Sequence, residues 1–232
     1  MIKKRKEPQK DSNNLCESMI TDAENREEKL KQIKQMFSVI PPDYEEIEKM
    51  LSAFSFDKKE LAEIAVHIVD SCFAEKKSRE FESERYGKPI RPFEQCFSNY
   101  VYNSLKLLLR YGYDPNVPTD DDNAMFNLQY IDYPDIGAKT LRLLLKNGGN
   151  PNVTLPDDSN EGMYDYLTSC ISYDSYEHEY ADRVKCWWVL MGYGAGSKDD
   201  KPPIEMLNNN SIELLKNFEN YDYCMNKSFI SR

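Results

Sequence analysis

Two stretches of the chain, LKLLLRYGYDPNV at 105–117 and LRLLLKNGGNPNV at 141–153, are nearly the same sentence written 36 residues apart. Eleven identities fall in the window 105–130, where composition alone would give roughly one or two. They include Leu105/Leu141, Leu107 to Leu109 on Leu143 to Leu145, Gly112/Gly148, Pro115/Pro151, Asn116/Asn152 and Tyr130/Tyr166. A chain built this way makes its core by stacking copies of one small unit, because a unit of this size cannot bury its apolar face alone.

A weaker third copy follows at a shift of 46, with Trp187, Val189, Leu190, Met191 and Gly194 in register. Its ten extra residues fall within SYDSYEHEYAD, and a truncated fourth copy is expected in PPIEMLNNNSIELLKNF as a cap. Each unit reads mechanically. A leucine-rich helix ends at a glycine able to take the left-handed conformation, and Asp-Pro-Asn or Asn-Pro-Asn makes the turn. In that turn Pro fixes φ and Asn caps its own backbone. A polar loop then leads to the next helix, AMFNLQYIDY or EGMYDYLTSCIS.

The N-terminal third carries the helical period without the repeat. Leu30, Ile33 and Phe37 form a stripe in a helix from Ala23 that Pro41 and Pro42 end. Asp43 is placed to cap a helix from Tyr44 to Phe54, and Asp57 starts a third with Leu61, Ile64, Ala65, Ile68, Val69 and Cys72 on one broad face. The charged, proline-bearing segment 75–92 reads as a helix end plus a loop, and helix resumes over Phe93 to Tyr111.

The block Leu108, Leu109, Gly112, Asp114, Pro115, Asn116, with its copy Leu144, Leu145, Gly148, Asn150, Pro151, Asn152, resembles the closing pattern of the ankyrin repeat family. The resemblance implies an all-α solenoid of about four to five stacked helix-turn-helix repeats. It covers roughly 105–200; no first helix opens on Thr-Pro-Leu-His, and segment 75–92 and the 46-residue spacing exceed a standard unit. The expected organisation is a disordered basic and polar tail over 1–22 and a repeat domain over 23–232. Within it lie divergent repeats at 23–92, the clearest repeats at 93–200 and a cap at 201–232.

The 232 residues are 40% hydrophobic and 12% aromatic, enough for a core despite a charged fraction of 30%. No apolar run approaches the roughly 18 residues that cross a bilayer, and no signal-like segment follows MIKKRKEPQKDSNN, so the expected compartment is the cytoplasm. That makes Asn-Val-Thr at 152–154 an accidental match to a glycosylation site. Six dispersed cysteines and two histidines, His67 and His178, provide no zinc spacing. No phosphate loop or nucleophile elbow occurs, and His67 among Ala65, Val66, Ile68 and Val69 reads as a satisfied packing histidine. No catalytic, cofactor or metal residue is expected.

Function is therefore sought on the surface. Residues 1–10 carry +4, which leaves −14 on the rest of a chain of net charge −10, disfavouring nucleic acid and membrane as partners of the folded part. Acids recur at the loop tips, Asp120, Asp121 and Asp122, then Asp157 and Asp158, then Asp199 and Asp200. One repeat apart they would make a ladder that attracts a basic protein. Tyr173, Tyr176 and Tyr180, set among acids, are further candidate contacts, whereas Tyr130 and Tyr166 sit at packing positions. The expected function is a non-enzymatic binding module, monomeric, in one form an immunity-type inhibitor masking a basic toxin. The alternatives are an adaptor or effector targeted by KKRK at 3–6, and a scaffold within an oligomer.

Overall fold

The computed structural model describes residues 11–86, 91–131, 136–154, 162–172 and 177–196, with side chains over 24–72, 100–129, 131, 136–154, 162–170 and 183–196. Among the described residues the chain is all-α, with eight helices and no strand. They are α1 (Asp11–Ser38), α2 (Tyr44–Ala53), α3 (Lys58–Tyr86), α4 (Arg91–Arg110), α5 (Ala124–Asn127), α6 (Ile136–Lys146), α7 (Met163–Ser172) and α8 (Glu177–Gly192). A 3-10 turn, Leu128–Tyr130, extends α5, and an isolated bridge pairs Thr154 with Gly162.

Local chemistry explains where the helices start. The Asp43 carboxylate accepts from the Glu45 and Glu46 amides and opens α2. Asp57 and Glu60 form a reciprocal capping box at the head of α3: Asp57 Oδ1 accepts from Glu60 N at 2.9 Å, and Glu60 Oε2 accepts from Asp57 N at 2.7 Å. Asn123 caps α5 through the Met125 and Phe126 amides.

Two helices are longer than the hydrophobic pattern announces. α1 begins at Asp11, so residues 11–22 continue the helix where a disordered tail is expected; residues 1–10 lie outside the described residues. α3 runs on to Tyr86, about 43 Å of helix, replacing much of the loop expected over 75–92. The reason is shared. Both extensions are free of Gly and Pro, so each can propagate a helix begun in the neighbouring apolar segment, and that of α1 also carries Leu15, Cys16, Met19 and Ile20 at helical spacing. The third unit also departs: α8 begins at Glu177, five residues before the position equivalent to the start of α6, so part of the insertion is helical.

Packing follows chain order. α1 lies on α2 and α3, α3 on α4 and α5, α4 on α6, and α6 on α8 and on the 3-10 turn, while α7 pairs with α8. The core is continuous through these contacts, from Ile33 and Phe37 through Ile47, Ile64, Ile68, Leu105, Leu108, Leu141 and Leu144 to Trp187 and Trp188. The six apolar residues read from the third helix are all buried. Each aliphatic or aromatic side chain buried in this way contributes on the order of 1.5–3 kcal/mol. The expected terminal cap, 201–232, lies outside the described residues.

Candidate interaction surface

The surface is built from the turns that end α4, α6 and α8. Gly112, Gly148 and Gly194 have φ of +91°, +93° and +90°, the left-handed conformation the sequence assigns to the first two and the third copy repeats. Each turn closes with the same two bonds. Tyr113 N reaches Leu108 O and Gly112 N reaches Leu109 O; Gly149 N reaches Leu144 O and Gly148 N reaches Leu145 O; Ala195 N reaches Leu190 O and Gly194 N reaches Met191 O. The third of these turns places the 46-residue shift in register at the level of backbone hydrogen bonds.

The asparagines after the prolines do something the sequence reading assigned differently. Capping within the turn belongs to Asp114 and Asn150, whose side chains accept from the amides two residues on, Asn116 N at 3.1 Å and Asn152 N at 3.0 Å. Asn116 and Asn152 instead reach the following turn. Asn116 Nδ2 donates to Gly148 O at 2.9 Å while its Oδ1 accepts from Asn150 N at 2.7 Å. Asn152 Oδ1 accepts from Gly196 N at 3.1 Å, one unit further along. Each asparagine therefore clasps the next turn, and the Asn152 side chain of the glycosylation-like triplet is committed to that contact.

Just beyond the first clasp stands the loop of Asp120, Asp121 and Asp122. It is folded on itself: Thr119 N and Oγ1 donate to Asp122 O at 2.8 and 3.0 Å, and Asp122 N returns a bond to Thr119 Oγ1 at 3.0 Å. The three acids differ in their surroundings. Asp120 pairs with Lys59 at 2.7 Å, an exposed contact whose hydrogen bond raises the Lys59 pKa. Asp121 is exposed and has no side-chain partner among the described residues. Asp122 stands near Asp70 of α3, whose carboxyl is pushed up by desolvation and then by the Asp122 charge, against a hydrogen bond from Asn127. Asp114, one turn back, is held below the usual carboxylate range by the Asn116 amide and by Lys58, 3.1 Å away.

The loop edge is thus a mixed surface fed by α3. Lys58, Lys59 and Asp70 lie more than 50 residues before the loop they meet, and no local signal in the sequence joins them to it. Asn123 was legible, as a cap residue directly before an apolar helix. Of the other candidate contacts, Asp157, Asp158, Tyr173, Tyr176, Asp199 and Asp200 lie outside the described residues. Tyr180 falls in α8, with its side chain outside them. Tyr166 packs as expected, its ring 6.1 Å from that of Phe126.

His67 is half-buried, with Nε2 2.9 Å from Lys34 O, 2.8 Å from Ser38 Oγ and 3.3 Å from Ser71 Oγ, tying α3 to α1. Cys72 and Cys186 are buried, and Cys170 is half-buried. Among the described residues no three His, Cys, Asp or Glu side chains assemble into a metal-ligand group, and no helix is long and apolar enough to cross a membrane. No family model, no curated protein and no solved structure matches the chain.

Proposed function

We propose that the chain is a divergent ankyrin-like array acting as a non-enzymatic protein-interaction module, which holds a basic partner protein against its acidic loop edge. The observation that carries this reading is the clasp of Asn116 and Asn152 onto the following turns, because turns fixed to one another at a repeat interval present their loops on a common edge. The acids after the first turn support it: Asp121 is exposed with no side-chain partner among the described residues, and the charge on Asp70, disfavoured by burial and then by Asp122, would be favoured by an incoming cation. Asp157 and Asp158 extend the edge by sequence. In its most concrete form the module is an immunity-type inhibitor that neutralises a basic toxin.

The test is capture of partners by the full chain and by a variant with Asp121, Asp122, Asp157 and Asp158 reversed to lysine. The expected result is a partner retained at low salt, released as salt rises, and lost by the variant. Unchanged affinity and unchanged salt dependence would remove the acidic edge as the binding site.

A further inference from the structure

Two equivalent stretches of the repeat hold no acid. Residues 100–113 and 136–149, the described ends of α4 and α6 with their turns, contain Lys106, Arg110, Lys139, Arg142 and Lys146 and no Asp or Glu. At the chain's average, with 40 acids in 232 residues, these 28 positions would hold about five. The cations fall at equivalent places in the repeat: Lys106 matches Arg142, Arg110 matches Lys146, and Asn103 matches Lys139. Asn103, Lys106 and Arg110 are exposed on one face of α4, as are Lys139 and Lys146 on α6, and the two helices pack side by side.

Helix dipoles do not account for the pattern. A cation in the last turn answers the partial negative charge there, which explains Arg110 and Lys146. It does not explain Lys106, a turn earlier, and it opposes Lys139, which stands in the first turn of α6 where a cation is disfavoured. Pairing alone does not set the face apart, since Lys29, Lys31 and Lys49 also have no acidic partner among the described residues. Arg26, Lys34, Lys58 and Lys59 each have an acidic partner. Lys106 and Lys146 have none among the described residues, and Arg110 meets only Glu48 at 3.2 Å in an exposed contact.

Shape adds to charge. Between α2 and α4 lies a groove of about 330 Å³ lined by Tyr44, Asn103, Lys106, Leu107 and Arg110. Its wall combines two cations one helical turn apart, a side-chain amide and the partly exposed Tyr44 ring, over the buried Leu107. That combination suits a carboxylate followed by an aliphatic side chain.

We propose that the outer face of α4 and α6, with the groove beside Tyr44, is a second interaction surface that docks an acidic polypeptide segment. The two faces then take partners of opposite charge, and this surface stands or falls independently of the acidic loop edge. A polypeptide fits better than a nucleic acid. The patch is short, and a net charge of −10 repels a long polyanion more than a few carboxylates.

The experiment is fluorescence anisotropy with the full chain and a labelled octapeptide of alternating glutamate and leucine, at low salt. It is run on the native protein, on Lys106→Glu with Arg110→Glu, and on Lys29→Glu with Lys31→Glu on α1 as a control of equal charge change. All the substituted side chains are at least partly solvent-accessible, and circular dichroism confirms that each variant is folded. Saturable binding, weakened about tenfold or more by the α4 variant and much less by the α1 control, is the expected result. Absence of saturable binding would overturn the proposal, as would equal weakening by both variants. So would displacement of the peptide by a single-stranded oligonucleotide of matched charge that binds more tightly, which would make the face a polynucleotide site.

Discussion

The two ends of the described chain bury apolar helices equally well but hold them together by different means. Between α1 and α3 the fastenings are long side chains: Arg26 on Glu60 and Asp57, Lys34 on Glu63 at 2.8 Å, and His67 on the Lys34 carbonyl. From α4 onward they are turns and aromatic rings. Asn116 and Asn152 clasp successive turns, and Trp187 is fully buried, near-parallel to Tyr164, with Nε1 donating to Thr168 Oγ1 at 3.0 Å. The first set occurs once, whereas the clasps recur with the repeat. A fastening written into the turn is copied whenever the unit is copied; one made by long side chains between particular helices must be found anew at each interface.

Five substitutions would break or sharpen this contrast. The largest effect is expected at the aromatic end, where Trp187→Ala removes a fully buried side chain and its bond to Thr168. The expected loss is about 3–5 kcal/mol in urea unfolding followed by circular dichroism. A loss under about 1 kcal/mol would mean that α8 contributes little to the cooperative core.

Asn116→Ala comes next, with an expected cost of about 1–2 kcal/mol for two cross-turn bonds at a solvent-exposed site. Asn152→Ala, with one such bond, should cost less. Equal and negligible costs for both would reduce the clasp to incidental geometry.

The smallest effect belongs to the fastenings of α1. Lys34→Ala should cost less than about 1 kcal/mol, as partly exposed ion pairs do. His67 gives the same interface a pH signature. Burial lowers its pKa first, the Lys34 carbonyl opposes that, and the Lys34 charge lowers it again. Its folded pKa therefore lies below the unfolded value of about 6.5, so the unfolded chain binds the extra proton more readily. The contribution is complete above about pH 6.5 and is lost as pH falls from there toward the lowered folded value. Urea midpoints across that range should fall for the native protein and stay flatter for His67→Gln. Identical slopes would leave His67 outside the pH response.

How much could be read beforehand differs by region for the same reason. The leucines of α4 and α6, the glycine turns and the caps at Asp43 and Asp57 are local or periodic features, and they emerged from spacing alone. The extension of α3 past residue 75 did not, because its charged residues leave little period to detect; that of α1 went unread although Leu15, Met19 and Ile20 stand at helical spacing. Nor did the partners of the loop acids. Lys59 meets Asp120 and Asp70 stands near Asp122 only because α3 packs beside α5. What looked like three equivalent aspartates is one paired with Lys59, one exposed without a side-chain partner among the described residues, and one near Asp70.

The sequence by itself determined the unit: a leucine-rich helix, a glycine that must take positive φ, and a Pro-Asn turn, copied at 36 and then 46 residues. These follow from backbone sterics and from burial, which act over a few residues and leave a periodic trace. Only the tertiary structure decided which turn each asparagine holds, which loop acid meets a lysine, and which cations of α4 and α6 reach solvent. Those outcomes depend on distances between residues remote in the chain, and such distances exist only once the helices have packed.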